Sequence, residues 1–278
     1  MSVINTNIKS LMAQNAMTIN NRAMSHAMQQ LSTGKRINSA ADDAAGLAMS
    51  ETMTAQIRGL DMAVRNANDA ISLLQTAEGA MIEQTNMLQR MRELAVQATS
   101  DTVSSIEKGY LNTEYSQLLE EINRIGANTE WNGDKILDQS GGLTSGSGVY
   151  VFQIGANSGQ TISVTIDNMS TSGAFSGVSS VISSAAAASS AISTLDDAID
   201  AIADQRARIG AAINRLTYAA DNLSNISQNV SESRSRVLDT DYAKASSELA
   251  RTQIIAQAST AMLAQANQQP QLVLKLLQ

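Results

Sequence analysis

The most constraining feature of the sequence is an unbroken column of apolar residues at seven-residue spacing in the C-terminal half. The column consists of Leu195, Ile202, Ile209, Leu216, Leu223, Val230 and Val237. A heptad repeat of this length predicts a helix whose apolar seam packs against another helix as a coiled coil. At about 1.5 Å per residue, residues 192–237 would form a helix about 70 Å long. Such a helix needs a partner of matching length, because its seam would otherwise face water.

The partner is predicted in the N-terminal half, where a second apolar column recurs every seven residues. It consists of Leu60, Ala67, Leu74, Met81, Leu88 and Ala95. A third, shorter helix is predicted from Leu111, Tyr115, Leu118, Ile122 and Ile125, which alternate at four- and three-residue steps. The three facing seams predict an elongated helical bundle, in a mainly α fold.

Two β-branched runs lie between the short helix and the last long helix. Residues 149–154 and 161–166 are separated by a loop that contains two glycines, which predicts one β-hairpin over about 149–166. The flanking stretches 139–148 and 168–190 are rich in Gly, Ser, Thr and Ala. We interpret both flanks as surface connections.

Both ends of the chain carry weaker apolar stripes, diluted by Asn, Gln, Ser and Ala. Helices of this composition are marginal in isolation, so we expect them to become ordered by packing against other copies of the chain. The apolar residues expected at these contacts are Ile4, Ile8, Leu11, Ile255, Met262, Leu272 and Leu276. Pro270 is expected to kink or interrupt the last helix, because it has no backbone N–H group.

Composition excludes most catalytic and ligand-binding classes. The chain has no Cys and one His, His26, which excludes disulfides, thiolate metal sites and multi-His zinc sites. The sequence motifs of phosphate loops, zinc proteases and serine hydrolases are absent. A net charge of −7 argues against nucleic acid, and no apolar run approaches the roughly 18 residues of a membrane span. We therefore expect no catalytic residue, metal or cofactor, and no nucleic-acid or membrane partner.

Several charged residues have plain structural interpretations. Asp42 and Asp43 are adjacent, so on a helix their side chains would point about 100° apart and would not form a facing carboxylate pair. We interpret them as charges that complement a helix N-terminus. Glu78 occupies a heptad position, outside the column given above, at which an apolar residue would continue the pattern. It is expected to set the register of the helices or to reach solvent. His26 is expected to be packed or at the surface.

Four segments resemble the signature regions of bacterial flagellins, in the same order along the chain. They are residues 31–46 (LSTGKRINSAADDAAG), 87–97 (MLQRMRELAVQ), 152–162 (FQIGANSGQTI) and 264–278 (AQANQQPQLVLKLLQ). The resemblance covers nearly the whole chain. It implies that the two chain ends pair as an inner coiled-coil domain, and that the long helices and the hairpin form a core domain.

The resemblance places the inner domain at residues 1–42 plus 238–278 and the core domain at 43–237. The core helices are expected at about 45–100, 104–127 and 190–237. Many flagellins carry further β-rich domains between the hairpin and the last long helix. Only residues 167–191 separate these elements here, so the chain resembles a short form without outer domains.

The function implied by the resemblance is that of a secreted structural subunit, which polymerises into the extracellular filament of the bacterial flagellum for swimming. The implied partners are other copies of the chain, the flagellar cap, hook-filament junction proteins and a cytosolic export chaperone. Export would use the flagellar type III route, which fits the absence of a signal-peptide pattern at the N-terminus. A hook-filament junction protein is the alternative within the same class, and an enzyme or a ligand-binding coiled coil is the alternative outside it.

The resemblance also implies recognition by Toll-like receptor 5, which in similar flagellins engages the segment that here spans residues 87–97. Carried over residue by residue, the receptor-binding set is Leu88, Gln89, Arg90, Leu94 and Glu114. Leu88 also belongs to a heptad column, so the same segment is expected to contribute to the core.

Overall fold

The computed structural model describes residues 7–139, 147–178 and 180–276, with side chains described up to residue 268. This part of the chain forms five helices and two short antiparallel sheets. In chain order they are α1 (Ile8–Thr33), α2 (Ala44–Thr99), α3 (Ser105–Asn128), β1 (Glu130–Trp131), β2 (Asp134–Lys135), β3 (Val149–Gln153), β4 (Thr161–Thr165), α4 (Ala185–Leu238) and α5 (Tyr242–Leu276). The predicted mainly α fold is confirmed. None of these helices has an apolar stretch long enough to span a bilayer.

The chain divides into two compact units. Unit 1 contains residues 1–55 and 228–278, and unit 2 contains residues 56–227. The division falls inside α2 and α4, whereas the sequence analysis placed the domain boundaries near the ends of these helices.

The helices of unit 2 begin at local signals in the sequence. Ser104 and Glu107 form a capping box at the start of α3, where each side chain accepts a hydrogen bond from the other residue's backbone N–H. Helix α4 starts at Ala185, earlier than the expected residue 190, because the run of alanines at 185–188 has the highest helix propensity. The hydroxyl of Ser184 caps it by accepting from the N–H of Ala187 at 3.2 Å.

The predicted heptad seam forms the core of unit 2. Leu195, Ile202, Ile209 and Leu216 of α4 are fully buried, and so is every α2 residue of the matching column except Leu60, which is nearly so. Val230 and Val237, which continue the α4 column, are half-buried and belong to unit 1. The two apolar columns therefore predicted the pairing of α2 with α4 correctly.

A second buried column on each long helix consists mainly of alanine and was missed in the sequence. Its members are Ala63, Ala70, Ala77, Gln84, Met91 and Ala98 in α2, and Ala191, Ala198, Gln205 and Ala212 in α4. The two glutamines in these columns donate hydrogen bonds to backbone carbonyls of other segments. The Gln84 amide donates to the carbonyls of Ile122 and Met169 at 3.1 and 2.9 Å, and the Gln205 amide donates to the Thr165 carbonyl at 2.9 Å.

The β3–β4 hairpin is the one that the sequence predicted, with Val149 opposite Thr165 and Gln153 opposite Thr161. It packs on α2 through two contacts. The Asn66 amide donates to the Gln153 carbonyl at 3.1 Å, and the loop lies so close to Gly59 that a Cβ there would come within 2.9 Å of the Ala156 Cβ. Gly59 therefore allows the hairpin loop to approach the helix.

The connection after the hairpin is a surface segment only in part, because buried residues alternate in it with exposed ones. Met169, Phe175 and Ile182 are fully or almost fully buried in the core of unit 2. The Ile182 N–H also donates to the Asn112 side chain at 2.7 Å. The apolar residues are too widely spaced among Ser, Thr and Gly to show the periodicity of a helix or a strand. The segment was therefore interpreted as a loop.

A second, shorter hairpin was also missed. Strands β1 and β2 are joined by Asn132 and Gly133, whose φ angles of 52° and 85° are both positive. These angles match the type I′ turn, for which Asn-Gly is the preferred pair. The Asn-Gly dipeptide was the available signal, although the flanking strands of two residues each carry little pattern.

Unit 1 pairs α1 with α5 and joins the ends of α1 and α4. The Asn20 amide donates to the Thr252 carbonyl at 2.8 Å in a buried contact between α1 and α5. After α1, Gly34 adopts a left-handed conformation with φ of 69°. The Arg36 N–H then donates to the last carbonyl of α4, Leu238, at 2.7 Å.

Helix α5 continues through Pro270 to Leu276, so the expectation that Pro270 interrupts the helix is wrong, whereas a kink at Pro270 stays a prediction. A proline inside a helix removes one backbone hydrogen bond and strains the preceding turn. The helix can still continue when another group binds the carbonyl that lost its donor.

Replacement of Leu216 by Ala tests the seam of unit 2. Leu216 is fully buried, so we expect Leu216→Ala to lower the free energy of unfolding by about 2–5 kcal/mol. The measurement is thermal or denaturant unfolding of the soluble chain. Tyr218→Ala on the same helix is the matched control, because Tyr218 is 76% exposed and its loss should change stability by less than about 0.5 kcal/mol. Equal effects of the two changes would contradict the helix orientation.

Two glycines of α2 provide a paired test of the hairpin contact. A Cβ at Gly79 would meet nothing within 4 Å, so Gly79→Ala should stabilise the soluble chain by about 0.5–1 kcal/mol through helix propensity. Gly59→Ala gains the same propensity but forces the loop away from Ala156, and we expect it to lower the melting temperature. If both substitutions stabilise the chain equally, the hairpin does not pack against Gly59.

Candidate functional site

The first candidate site is an apolar surface on α1 and α5 of unit 1. We refer to it as the terminal apolar surface, and its residues are Ile8, Leu11, Met12, Ile19, Ile254, Ile255 and Met262. Each of these side chains is between 37% and 68% exposed. Large apolar side chains at this density on one helix pair indicate a surface that binds another protein.

A groove of about 560 Å³ runs along part of this surface. Met12 and Ala16 of α1 line one side, and Ile255 and Met262 of α5 line the other. The groove exists because small residues lie where α1 and α5 meet, so the longer side chains project outward on both sides. Its lining is mainly apolar and it is open to solvent.

The residues that the sequence predicted at contacts between copies fall into two groups. Ile8, Leu11, Ile255 and Met262 lie on the terminal apolar surface. Ile4 and the side chains of Leu272 and Leu276 lie outside the part of the chain that the structure describes.

The connection between α1 and α2 in unit 1 is fixed by the two adjacent aspartates. Asp42 accepts hydrogen bonds from the backbone N–H groups of Asn38 and Ser39 at 2.9 and 2.8 Å, and from His26 Nε2 at 3.1 Å. The two backbone N–H groups are the main reason that the pKa of Asp42 lies below its usual value. Asp43 accepts from the Gly46 N–H at 2.9 Å in the first turn of α2, as expected for a charge at a helix N-terminus.

The second candidate site lies in unit 2, where α2 and α3 run side by side. The Arg90 guanidinium donates to the carboxylates of Glu93 and Glu114 at 3.0 and 2.9 Å. These bonds, with Glu93 contributing most, raise the pKa of Arg90. We refer to Gln89, Arg90, Glu93 and Glu114 as the Arg90 cluster; all four side chains are exposed.

The structure separates the residues that the resemblance grouped as a receptor-binding set. Gln89, Arg90 and Glu114 lie together on the surface of unit 2. Leu88 is 0% exposed and Leu94 is almost as deeply buried, so both belong to the core beneath the Arg90 cluster. Glu93 was missed, although its position three residues after Arg90 on a helix was a signal for an ion pair.

Two further ion pairs join α2 and α4 in unit 2. The Arg92 guanidinium donates to Asp196 at 2.6 Å, and this contact lowers the pKa of Asp196. Glu78 of α2 and Arg206 of α4 are charged residues at heptad positions that are otherwise mainly apolar, and their charged groups lie 3.9 Å apart. Glu78 therefore pairs with α4 while about a third of its side chain stays exposed.

The described residues contain no group of three or more His, Asp or Glu side chains that could hold a metal ion. Tyr115 is fully buried, and burial raises the pKa of its hydroxyl to about 12. A phenol with that pKa is a poor proton donor or acceptor near neutral pH.

Family models for the bacterial flagellin N-terminal helical region and C-terminal helical region match residues 4–141 and 192–277. The flagellin of Halalkalibacterium halodurans is 46% identical over 276 residues, which cover 99% of both chains. That relative has about the same length, whereas the alignment to polar flagellin F of Vibrio parahaemolyticus, 33% identical, extends over 378 positions and covers 99% of both chains. This chain is therefore a short form of the family.

Two solved structures are similar. The crystal structure of Bacillus cereus flagellin is 34% identical, with a TM-score of 0.51, and the match covers 57% of this chain and 88% of that one. A putative flagellar hook-associated protein from Vibrio parahaemolyticus has a TM-score of 0.60 over 71% of this chain and 100% of its own, but it is only 14% identical and shares the fold alone. The chain therefore belongs to the bacterial flagellin family, the structural subunits of flagellar filaments.

Proposed function

We propose that this chain polymerises through the terminal apolar surface into an extracellular flagellar filament used for swimming. The observation that carries the proposal is the exposure of large apolar side chains along both α1 and α5. Burying one such side chain between copies contributes roughly 1.5–3 kcal/mol, and each copy offers several of them. A contact between two different surfaces that does not close on itself extends into a filament.

The small number of buried residues in α1 supports the proposal that α1 and α5 depend on other copies for their order. In its 26 residues, α1 buries only Asn20 and Ala27 within the chain. Most helical stability in proteins comes from packing of an apolar face rather than from helix propensity, so a helix that buries so little is weakly stabilised within one chain. We therefore propose that the terminal helices are weakly ordered in the soluble chain and become fully ordered in the filament.

Further partners follow from family membership and belong to this proposal. They are the flagellar cap, the hook-filament junction proteins and a chaperone that binds the C-terminal helix before export. Export to the cell exterior would proceed through the flagellar type III apparatus. The alternative, a hook-filament junction protein, is less favoured, because identity over the whole chain is to a flagellin and the hook-associated likeness is limited to the fold.

Hydrogen exchange tests the coupling between order and assembly. We expect residues 7–35 and 245–268 to exchange rapidly in the soluble chain and slowly in sedimented filaments, because only the filament buries the terminal apolar surface. Residues 57–125 of unit 2 should be protected in both forms. Equal protection of the ends in both forms would contradict the proposal.

Seeded growth provides the direct test of polymerisation. The soluble chain, mixed with short filament fragments, should scatter light increasingly as micrometre filaments grow. A chain that lacks residues 245–278 is the control: it should remain soluble, retain most of its helix content and fail to extend the seeds. Extension by the truncated chain would show that α5 is not part of the contact.

We further propose that the soluble chain is recognised by Toll-like receptor 5 through the Arg90 cluster. Its support is the match to the family's receptor segment, together with the exposed position of Gln89, Arg90 and Glu114 on one face of α2 and α3. Arginine is enriched at interface hot spots, where its planar guanidinium can bond to and stack on a partner. Leu88 and Leu94 are buried under the cluster and would contribute indirectly, because their packing holds the part of α2 that carries Arg90 in place.

Arg90→Ala tests this recognition. Exposed ion pairs contribute little to stability, so the melting temperature should be almost unchanged. Receptor signalling by the soluble chain should weaken at least about tenfold, the equivalent of about 1.4 kcal/mol. Arg124→Ala is the matched control, because Arg124 is similarly exposed and pairs with Glu121 elsewhere on α3. Unchanged signalling by Arg90→Ala would contradict the receptor proposal and leave Arg90 a surface ion-pair residue.

A further inference from the structure

Pro270 creates an unpaired backbone carbonyl in α5. In an α-helix the carbonyl of each residue accepts a hydrogen bond from the N–H four residues later. Pro270 has no N–H, so the Ala266 carbonyl loses its usual donor although the helix continues to Leu276. Ala266 is half-buried, and a carbonyl that loses its helical bond in such a position is more stable with another donor than without one.

The donor is the side chain of Asn7. Its Nδ2 donates to the Ala266 carbonyl oxygen at 2.8 Å, in a half-buried contact between residues 259 positions apart. The Oδ1 of the same side chain accepts from the Ser10 N–H at 3.2 Å and thereby caps the start of α1. One amide group therefore satisfies an open donor of α1 and an open acceptor of α5.

A second asparagine makes a similar contact with a different consequence. The Asn20 amide donates to the Thr252 carbonyl at 2.8 Å, but Ala256, four residues after Thr252, has an N–H that can occupy that carbonyl. The Asn20 bond is thus additional, whereas the Asn7 bond replaces a missing one. Asn7 and Asn20 lie about as far apart in α1 as their two acceptors do in α5, so both contacts fit one antiparallel register.

We infer that Asn7 and Pro270 act together as a register lock: Pro270 opens one carbonyl of α5, and Asn7 fills it only when α1 and α5 are correctly aligned. Small residues line much of the contact between these helices, so apolar packing alone distinguishes poorly between alignments shifted by one turn. A shift by one turn would place Asn7 beside a carbonyl that already has a helical donor and would leave that of Ala266 unpaired. The inference concerns pairing within one chain and goes beyond polymerisation itself.

A double-mutant cycle tests the lock, with the full-length parent chain, Asn7→Ser, Pro270→Ala and the double variant. Serine caps a helix as well as asparagine does, but its shorter side chain cannot reach Ala266. Alanine at position 270 restores the N–H that the Ala266 carbonyl needs. The readout is amide hydrogen exchange of residues 267–276 and of the first turn of α1, in both the soluble and the sedimented forms.

We expect Asn7→Ser to speed exchange of residues 271–276 about tenfold, while the first turn of α1 keeps its protection. In the Pro270→Ala background the same substitution should change exchange less than about twofold, because the lock is no longer needed. Equal effects of Asn7→Ser in both backgrounds would overturn the inference. Absence of protection at residues 271–276 in every form of the parent chain would overturn it as well.

Failure of the register lock and failure of polymerisation can be distinguished. If polymerisation fails, no variant sediments with the seeds, and the comparison of exchange rates is made on the soluble chain. If the lock fails, Asn7→Ser changes the exchange rates equally with proline and with alanine at position 270, whether or not the chains extend the seeds.

Discussion

The packing of α2 against α4 through two apolar columns is the interaction on which the rest of unit 2 depends. The residues of each column recur every seven positions, which is about two turns of the helix, and nearly all of them are buried. Because the two helices pair along their length, they offer a fixed surface to which α3, the hairpin and the following segment attach. The alanine columns beside the seam are buried as well.

Polar groups fix positions within this apolar arrangement. Gln84 binds carbonyls of α3 and of the segment after the hairpin, and Gln205 binds the end of β4. A buried amide that loses its partner carries a desolvation cost, so each glutamine disfavours any alternative placement of the backbone that it contacts. Unit 1 uses asparagine amides in the same way, since Asn20 and Asn7 of the N-terminal region donate to backbone carbonyls of α5. In both units the apolar residues provide the attraction and the amides provide the specificity.

The sequence predicted the long helices well, because Leu, Ile and Met at heptad spacing have few other interpretations. It did not predict the buried alanine columns, because alanine occurs equally on exposed and buried helix faces. The buried role of Phe175 and Ile182 was also hidden, since single apolar residues in a Ser- and Gly-rich stretch carry no period. At the candidate sites, Arg90 and Glu114 were identified through family resemblance. The pairing of Arg92 with Asp196 was not, because the two residues are 104 positions apart and only the folded helix pair brings them together.

The segment between the hairpin and α4 has a consequence for how a flagellin of this size can accept additional polypeptide. Phe175 and Ile182 are buried anchors on either side of an exposed stretch that includes Ser176 and Gly177. A side chain added at Gly177 would meet nothing within 4 Å. Foreign sequence inserted at this point would emerge from the surface between two fixed anchors, while the helical core beneath kept its packing. The stretch is therefore a natural attachment point for displaying a peptide or a folded domain on every subunit of a filament.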